Sequence, residues 1–198
     1  MADMDPETLA RRLSVPQRFT LLLVHARHGE PVRGKLHLQK EMFLVAKNVE
    51  ELADELGFEP ALKGPMSEAL EWSVDQLESV GLLTRDEAAY RLTAQGEDCA
   101  ELLAKETDSK TLLMIADMKE LLNDLTKDEL LAVVYFLYPE MSVESEELAG
   151  IVPKRKSIAS RLFVKGKLGL EKAAMVAGLS PAEFRAYLRK QGNTPYSD

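Results

Sequence analysis

The chain has 198 residues, 45% of them hydrophobic, a formal net charge of −8 and a single cysteine, Cys99. This is a globular composition with room for one core and a smaller satellite domain, and no apolar run reaches the ~18 residues of a membrane span. Residues 1–5 carry two acids and no apolar leader, and a lone cysteine forms no intramolecular disulfide, so a cytoplasmic protein without membrane contact is expected.

Asp5-Pro6-Glu7 reads as a helix start, with a capping acid followed by proline in the first turn. A helix is predicted over 15–28, where Phe19, Leu22, Leu23 and Ala26 share a face and Gly29 closes it. Another is predicted over 36–49, with Leu38, Met42, Val45, Ala46 and Val49 turned to the core. Gly57, Pro60, Gly64 and Pro65 interrupt the stretch 50–65, which reads as irregular. A third long helix ends at Gly81 and buries Met66, Leu70, Val74 and Leu77, with Trp72 beside them. Residues 82–85 and 89–93 read as two short strands about the turn Asp86-Glu87.

A helix resumes at Ala94, and a further amphipathic helix over 107–126 carries Leu112, Ile115, Met118, Leu122 and Leu125. Thr126 and Glu129 form a capping box ahead of an apolar helix over 130–138, which Pro139 stops. Gly150 to Pro153 marks a boundary. In the tail, Ser180, Pro181 and Glu183 start a helix over 181–191 whose Phe184 and Leu188 face inward with Ala173, Val176 and Leu179.

The expected class is mainly α. It comprises a winged-helix domain over 1–106, a bundle of helices plus a short β-hairpin, then a helical connector over 107–150 that serves assembly. A small basic helix-turn-helix unit over 151–198 completes it.

Three segments of the first hundred residues carry a resemblance. They are Lys35-Leu36-His37-Leu38-Gln39-Lys40 running into Met42-Phe43-Leu44, then Phe58-Glu59-Pro60 with Gly64-Pro65-Met66-Ser67, then Gly81-Leu82-Leu83 with Tyr90-Arg91-Leu92-Thr93 and Gly96. Over about residues 15–105 the chain resembles prokaryotic, phage-associated winged-helix proteins of the Panacea antitoxin-like type. The tail, Leu170 through Ala173-Ala174-Met175-Val176-Ala177-Gly178-Leu179-Ser180 to Phe184, is similar to the helix-turn-helix of a family of small prokaryotic antitoxin-like proteins, over about 157–192. These resemblances imply DNA binding or antitoxin-like regulation.

Charge separates the two ends. Residues 148–198 hold ten Lys/Arg against three acids, and residues 1–147 hold 15 bases against 30 acids. The helix before Gly81 exposes Glu68, Glu71, Asp75 and Glu78 and no base, a surface that repels phosphates. The tail is therefore the expected nucleic-acid surface. Arg185, Arg189 and Lys190 lie outward on its last helix beside the small Ala182 and Ala186, as base-edge readout requires. Lys154, Arg155, Lys156, Arg161, Lys165 and Lys167 are the expected phosphate contacts. The alternatives are a solvated basic face, or docking of these cations on the acidic N-terminal domain or an acidic partner.

The leading expectation is a DNA-binding, transcription-regulator-like protein with the acidic winged helix as scaffold and a protein partner or homodimer. The alternative is a protein-interaction or antitoxin-like module that does not touch DNA. No catalysis or cofactor is expected, since the chain has no glycine-rich phosphate loop and no nucleophile elbow. No metal is expected either. His25 and His28 are too few for a zinc site, and a cationic His28 suits a helix C-terminus. Cys99 reads as a buried thiol. Phe43, Trp72, Tyr135, Phe136 and Tyr138 read as core, with Tyr135 and Tyr138 the alternative for a dimer interface.

Overall fold

A computed structural model of the protein describes residues 5–86 and 88–192. It is mainly helical with one two-stranded sheet, and no described helix is long and apolar enough to cross a membrane. The expectations for Glu87, for residues 1–4 and for residues 193–198 lie outside the described residues.

The chain divides into two compact units whose bounds differ from those expected at 106 and 150. Unit 1 comprises the chain up to Glu59 together with Pro65–Asp124, and unit 2 comprises Pro60–Gly64 and everything from Leu125 onward. The division after Asp124 falls inside the segment 107–150 expected as a connector. The helix before that point belongs with the N-terminal elements and the helix after it with the tail. Each half carries an apolar face that a packed neighbour covers, so neither remains a linker.

Unit 1 contains α1 (Pro6–Arg12), α2 (Val15–Gly29), α3 (Gly34–Ala46), α4 (Glu50–Leu56), α5 (Glu68–Ser79), strands β1 (Leu83–Arg85) and β2 (Tyr90–Leu92), α6 (Ala94–Glu106) and α7 (Ser109–Leu122). Side-chain caps fix the helix starts: Asp5, Ser14, Ser67, Thr93 and Asp108 each accept from a first-turn amide. The core gathers Leu21, Leu23, Leu38, Met42, Leu52, Leu70, Leu77, Leu82 and Ile115. The β1–β2 register is Leu83↔Leu92, Thr84↔Arg91, Arg85↔Tyr90, and Val32 pairs with Tyr90 from the segment between α2 and α3. Gly96 is required where α6 meets the sheet, because a Cβ there would lie 1.9 Å from the Leu82 carbonyl oxygen.

Two sequence expectations change here. The stretch read as irregular contains α4, whose Leu52 and Leu56 are buried and which Gly57 ends in the left-handed region at φ 50°. Trp72 is not core: it is 64% exposed on α5, because positions 70, 74 and 77 already define the buried stripe and 72 falls on the opposite side. Phe43 and Tyr135 are buried as expected, and Cys99 is a buried free thiol.

The structure also explains why Gln39-Lys40 and Pro65-Met66-Ser67 occur together. Gln39 Nε2 donates to the Ser67 carbonyl at 3.0 Å, and its Oε1 accepts from the Ser67 amide at 2.9 Å. Lys40 Nζ donates to the Pro65 carbonyl at 2.7 Å. Two buried side chains of α3 thereby hold the segment that launches α5. Burial lowers the Lys40 pKa to about 7.

Unit 2 contains α8 (Lys127–Leu137), α9 (Leu148–Ile151), α10 (Arg155–Val164), α11 (Leu170–Ala177) and α12 (Pro181–Lys190). Short 3-10 turns at Pro139–Ser142 and Val152–Lys154 link the first three. The excursion Pro60–Gly64 is tied in by its Leu62 carbonyl, which accepts from the Glu146 amide at 3.1 Å and from Ser145 Oγ at 3.3 Å. Leu130 to Val134, Ile158, Leu162, Ala173, Val176, Phe184 and Leu188 are buried.

Candidate nucleic-acid interface

The tail folds as three helices, and α11 and α12 meet at a tight turn. Gly178 takes the left-handed conformation at φ 69° that ends α11, and the Leu179 amide returns to the Ala174 carbonyl at 3.0 Å. Ser180 then caps α12 in a full box with Glu183, whose carboxylate accepts from the Ser180 amide at 2.8 Å. Phe184 and Leu188 are fully buried. Burying two such side chains contributes about 1.5–3 kcal/mol each, which fixes the face α12 turns outward. Phe163 of α10 meets the Phe184 ring edge-on at 6.1 Å between centroids.

The nine cations expected to form one surface do not share a fate. Lys154 Nζ pairs with Asp128 Oδ2 at 2.8 Å. Arg161 Nε and Lys165 Nζ both reach Glu129 Oε1, at 3.3 and 3.0 Å. Arg155 donates through Nε to the Val176 carbonyl at 2.8 Å and through Nη2 to the Met175 carbonyl at 3.0 Å. Lys167 is half-buried and also has a partner. Lys156 is exposed and lies within electrostatic reach of Glu183. Arg185, Arg189 and Lys190 are exposed, and their side chains have no ion pair or hydrogen bond among the described residues.

Lys154, Arg155, Arg161 and Lys165, expected as phosphate contacts, therefore do not stand free: each has a partner within the protein. The cause is α8. Its first turn brings Asp128 and Glu129 under α10, and Glu129 is almost fully buried. Burial alone would raise the Glu129 pKa. Hydrogen bonds from Lys165, the Thr126 amide and Arg161 outweigh it and hold the carboxyl below its ordinary range. With the acids of 125–147 counted in the same body, unit 2 holds twelve Lys/Arg against nine Asp/Glu. The candidate surface contracts to the outer face of α12, where Arg185 and Arg189 stand one turn apart beside the exposed Ala182 and Ala186, with Lys190 adjacent, together with the exposed Lys156 of α10.

On unit 1 the outer stripe of α5 is Glu68, Trp72, Asp75 and Ser79. Lys35 pairs with Glu71 at 2.5 Å, and Arg85 of the hairpin pairs with Glu78 at 3.0 Å and Asp75 at 3.5 Å. Lys35, Glu71, Asp75 and Arg85 rim a cleft of about 170 Å³ floored by Leu38, Leu70 and Val74. The hairpin base Arg85 is engaged with α5 itself.

A buried polar cluster beside α7 went unread in the sequence. Lys119 is fully buried, and its ammonium donates to the carbonyls of Val24 and Ala26, each at 2.9 Å. Those carbonyls precede Arg27, His28 and Gly29, three successive left-handed residues that end α2. Asn123 completes the hold, donating to Glu30 Oε1 at 3.0 Å and the Pro31 carbonyl at 2.9 Å. His25 Nδ1 sits 2.7 Å from Glu97 Oε2. Glu41 is fully buried with neither carboxyl oxygen hydrogen-bonded, and burial pushes its pKa well up. Burial lowers Lys119 to about 8 against the attraction of Glu41, Glu30 and Glu97. The signal was available: Ile115, Lys119 and Leu122 form one i, i+4, i+7 stripe with a lysine at its centre. Among the described residues, no group of three His, Cys, Asp or Glu side chains is arranged to hold a metal ion.

No protein-family model matches the chain, and no curated protein or solved structure matches it either.

Proposed function

We propose that the protein is a non-enzymatic, DNA-binding, transcription-regulator-like protein that uses α12 as its recognition helix, with unit 1 as an acidic scaffold of winged-helix plan. The observation that carries this reading is the outward face of α12: three cations without partners among the described residues, on a helix whose opposite face is locked by Phe184 and Leu188. An eight-residue helix, a glycine turn and a capped second helix form the helix-turn-helix arrangement that places such a face in the major groove. Small residues beside Arg185 and Arg189 allow approach to base edges, where arginine pairs with guanine. The order α2, the Val32 bridge, α3, α5 and the β1–β2 hairpin supports the winged-helix plan for unit 1, with α4 as an added helix.

The test is retention of duplex DNA by the full chain at low and moderate salt. Arg185→Glu with Arg189→Glu is expected to weaken it by at least about a hundredfold, from two lost contacts of ~1–3 kcal/mol each plus repulsion, with the melting temperature unchanged. Undiminished binding by that double variant sinks the reading.

A second reading, a protein-interaction or antitoxin-like module that leaves DNA alone, draws on α5. Its exposed stripe holds acids and the protein's one tryptophan, and aromatic side chains are enriched at protein interfaces. Absence of any salt-dependent DNA retention favours it.

A further inference from the structure

Arg155 opens α10 and reads in the sequence as one more phosphate contact, yet its guanidinium is turned away from that task. We infer that Arg155 is a positioning residue that locks the α11–α12 turn and so sets the pose of α12; this rests on the reading of α12 as the nucleic-acid-facing helix. The last carbonyls of a helix lack intrahelical donors, and Arg155 supplies two of them to α11, from Nε to Val176 and from Nη2 to Met175. The guanidinium centre also lies over the Phe136 ring, 4.0 Å from its centroid, on the last turn of α8. Gly178 leaves the space this requires: a Cβ there would stand 2.6 Å from the guanidinium.

One planar side chain therefore ties α8, α10 and α11 together at the residue from which the chain turns into α12, and Pro181 follows only three positions later. A planar fork meets two adjacent carbonyls from two of its nitrogens while its centre lies over a ring; a lysine ammonium keeps the charge and loses that fork geometry. The sequence places Arg155 and Lys156 side by side as equivalent bases, and the fold gives them opposite roles, one inside the turn and one exposed.

The experiment compares full-length wild type, Arg155→Lys, Arg155→Gln, Phe136→Leu and Lys156→Gln. It reads duplex-DNA affinity over a salt series, amide exchange over residues 175–180, and the melting temperature as a check on folding. Arg155→Lys is expected to lose roughly tenfold or more in affinity with the salt slope unchanged and faster exchange across the turn. Phe136→Leu, which keeps every charge, is expected to move the same way to a smaller degree. Lys156→Gln is expected to lower the salt slope by about one and leave exchange unchanged. Full affinity in Arg155→Lys, or a slope lowered by about one in Arg155→Gln with the turn unaltered, makes Arg155 a phosphate contact and overturns the inference. If the wild type retains no DNA, the reading of α12 falls, while exchange across the turn in Arg155→Lys still decides whether Arg155 locks it.

Discussion

α5 and α12 begin alike and end in different roles. Each is launched by a serine cap, Ser67 and Ser180, and each buries one stripe, Leu70, Val74 and Leu77 in the first and Phe184 and Leu188 in the second. Their outward faces differ in sign and in company. The acids of α5 are answered by Lys35 and Arg85 from neighbouring elements, and what remains outward is Glu68 with Trp72. The cations of α12 have no such neighbours among the described residues, although those of α10 do. Whether a helix presents unanswered charge thus depends on the elements packed around it, and a cation already paired with a carboxylate attracts a phosphate less than an unpaired one.

The largest effect separating the two units is expected from pH. Lys40 and Lys119 of unit 1 have folded values of about 7 and about 8. Unfolded lysine titrates near 10.4. Between those values the unfolded chain binds more protons, so stability rises with pH, and Lys40 alone adds on the order of 4 kcal/mol by pH 10. Glu41 works in the opposite sense: its raised value means stability lost as pH climbs above about 4.5. In unit 2, Glu129 is lowered, so its contribution is present at neutral pH and is lost as pH falls through the acidic range. Denaturant unfolding followed from pH 3 to pH 10 reads all four. Lys40→Met is expected to flatten the alkaline rise, and a rise that persists unchanged in that variant rules Lys40 out as its source.

Next in size comes the apolar anchor of α12. Phe184→Ala removes a fully buried ring and is expected to cost about 3–5 kcal/mol, with DNA retention lost in proportion to unfolding. A smaller difference isolates the α11–α12 turn. Gly57 and Gly178 both end helices at positive φ, but a Cβ at Gly57 meets nothing within 4 Å whereas one at Gly178 meets Arg155 at 2.6 Å. Gly57→Ala is expected to cost about 1 kcal/mol from backbone strain alone, and Gly178→Ala about 1–2 kcal/mol more as Arg155 is displaced. Equal melting temperatures for the two variants would mean that the guanidinium is not fixed above Gly178.

Much of this was legible from the residues. Capping boxes at Thr126 and Ser180, the glycine turn at 178 and the inward Phe184 and Leu188 are local signals, and local structure follows them. Periodicity hid what interruption and length obscured: α4 spans seven residues ahead of Gly57 and Pro60, too short for a repeat to emerge. Pairing was out of reach for another reason. The six bases over 154–167 are visible as charge, but Asp128 and Glu129, which answer three of them, stand some thirty positions earlier across an expected domain boundary. The outward cations of α12 stay unpaired among the described residues because the local acid on that helix, Glu183, is committed to its own cap.

The smallest effect sharpens the comparison most. Glu68→Lys with Asp75→Lys makes the outer stripe of α5 basic without touching its buried side. Exposed substitutions of this kind change stability by about 0.5 kcal/mol or less, and Arg85 keeps Glu78 when Asp75 is gone. If sign alone made a nucleic-acid surface, this variant would bind duplex DNA through unit 1 even with Arg185 and Arg189 reversed. The expected result is a gain of no more than about tenfold, lost at moderate salt, since two added cations release only about two counterions. Trp72 also stands between the two substituted positions, where α12 keeps alanines, and its bulk is expected to hinder approach to base edges. Strong, salt-resistant binding by this variant would mean that charge, and not the small residues beside it, distinguishes α12 from α5.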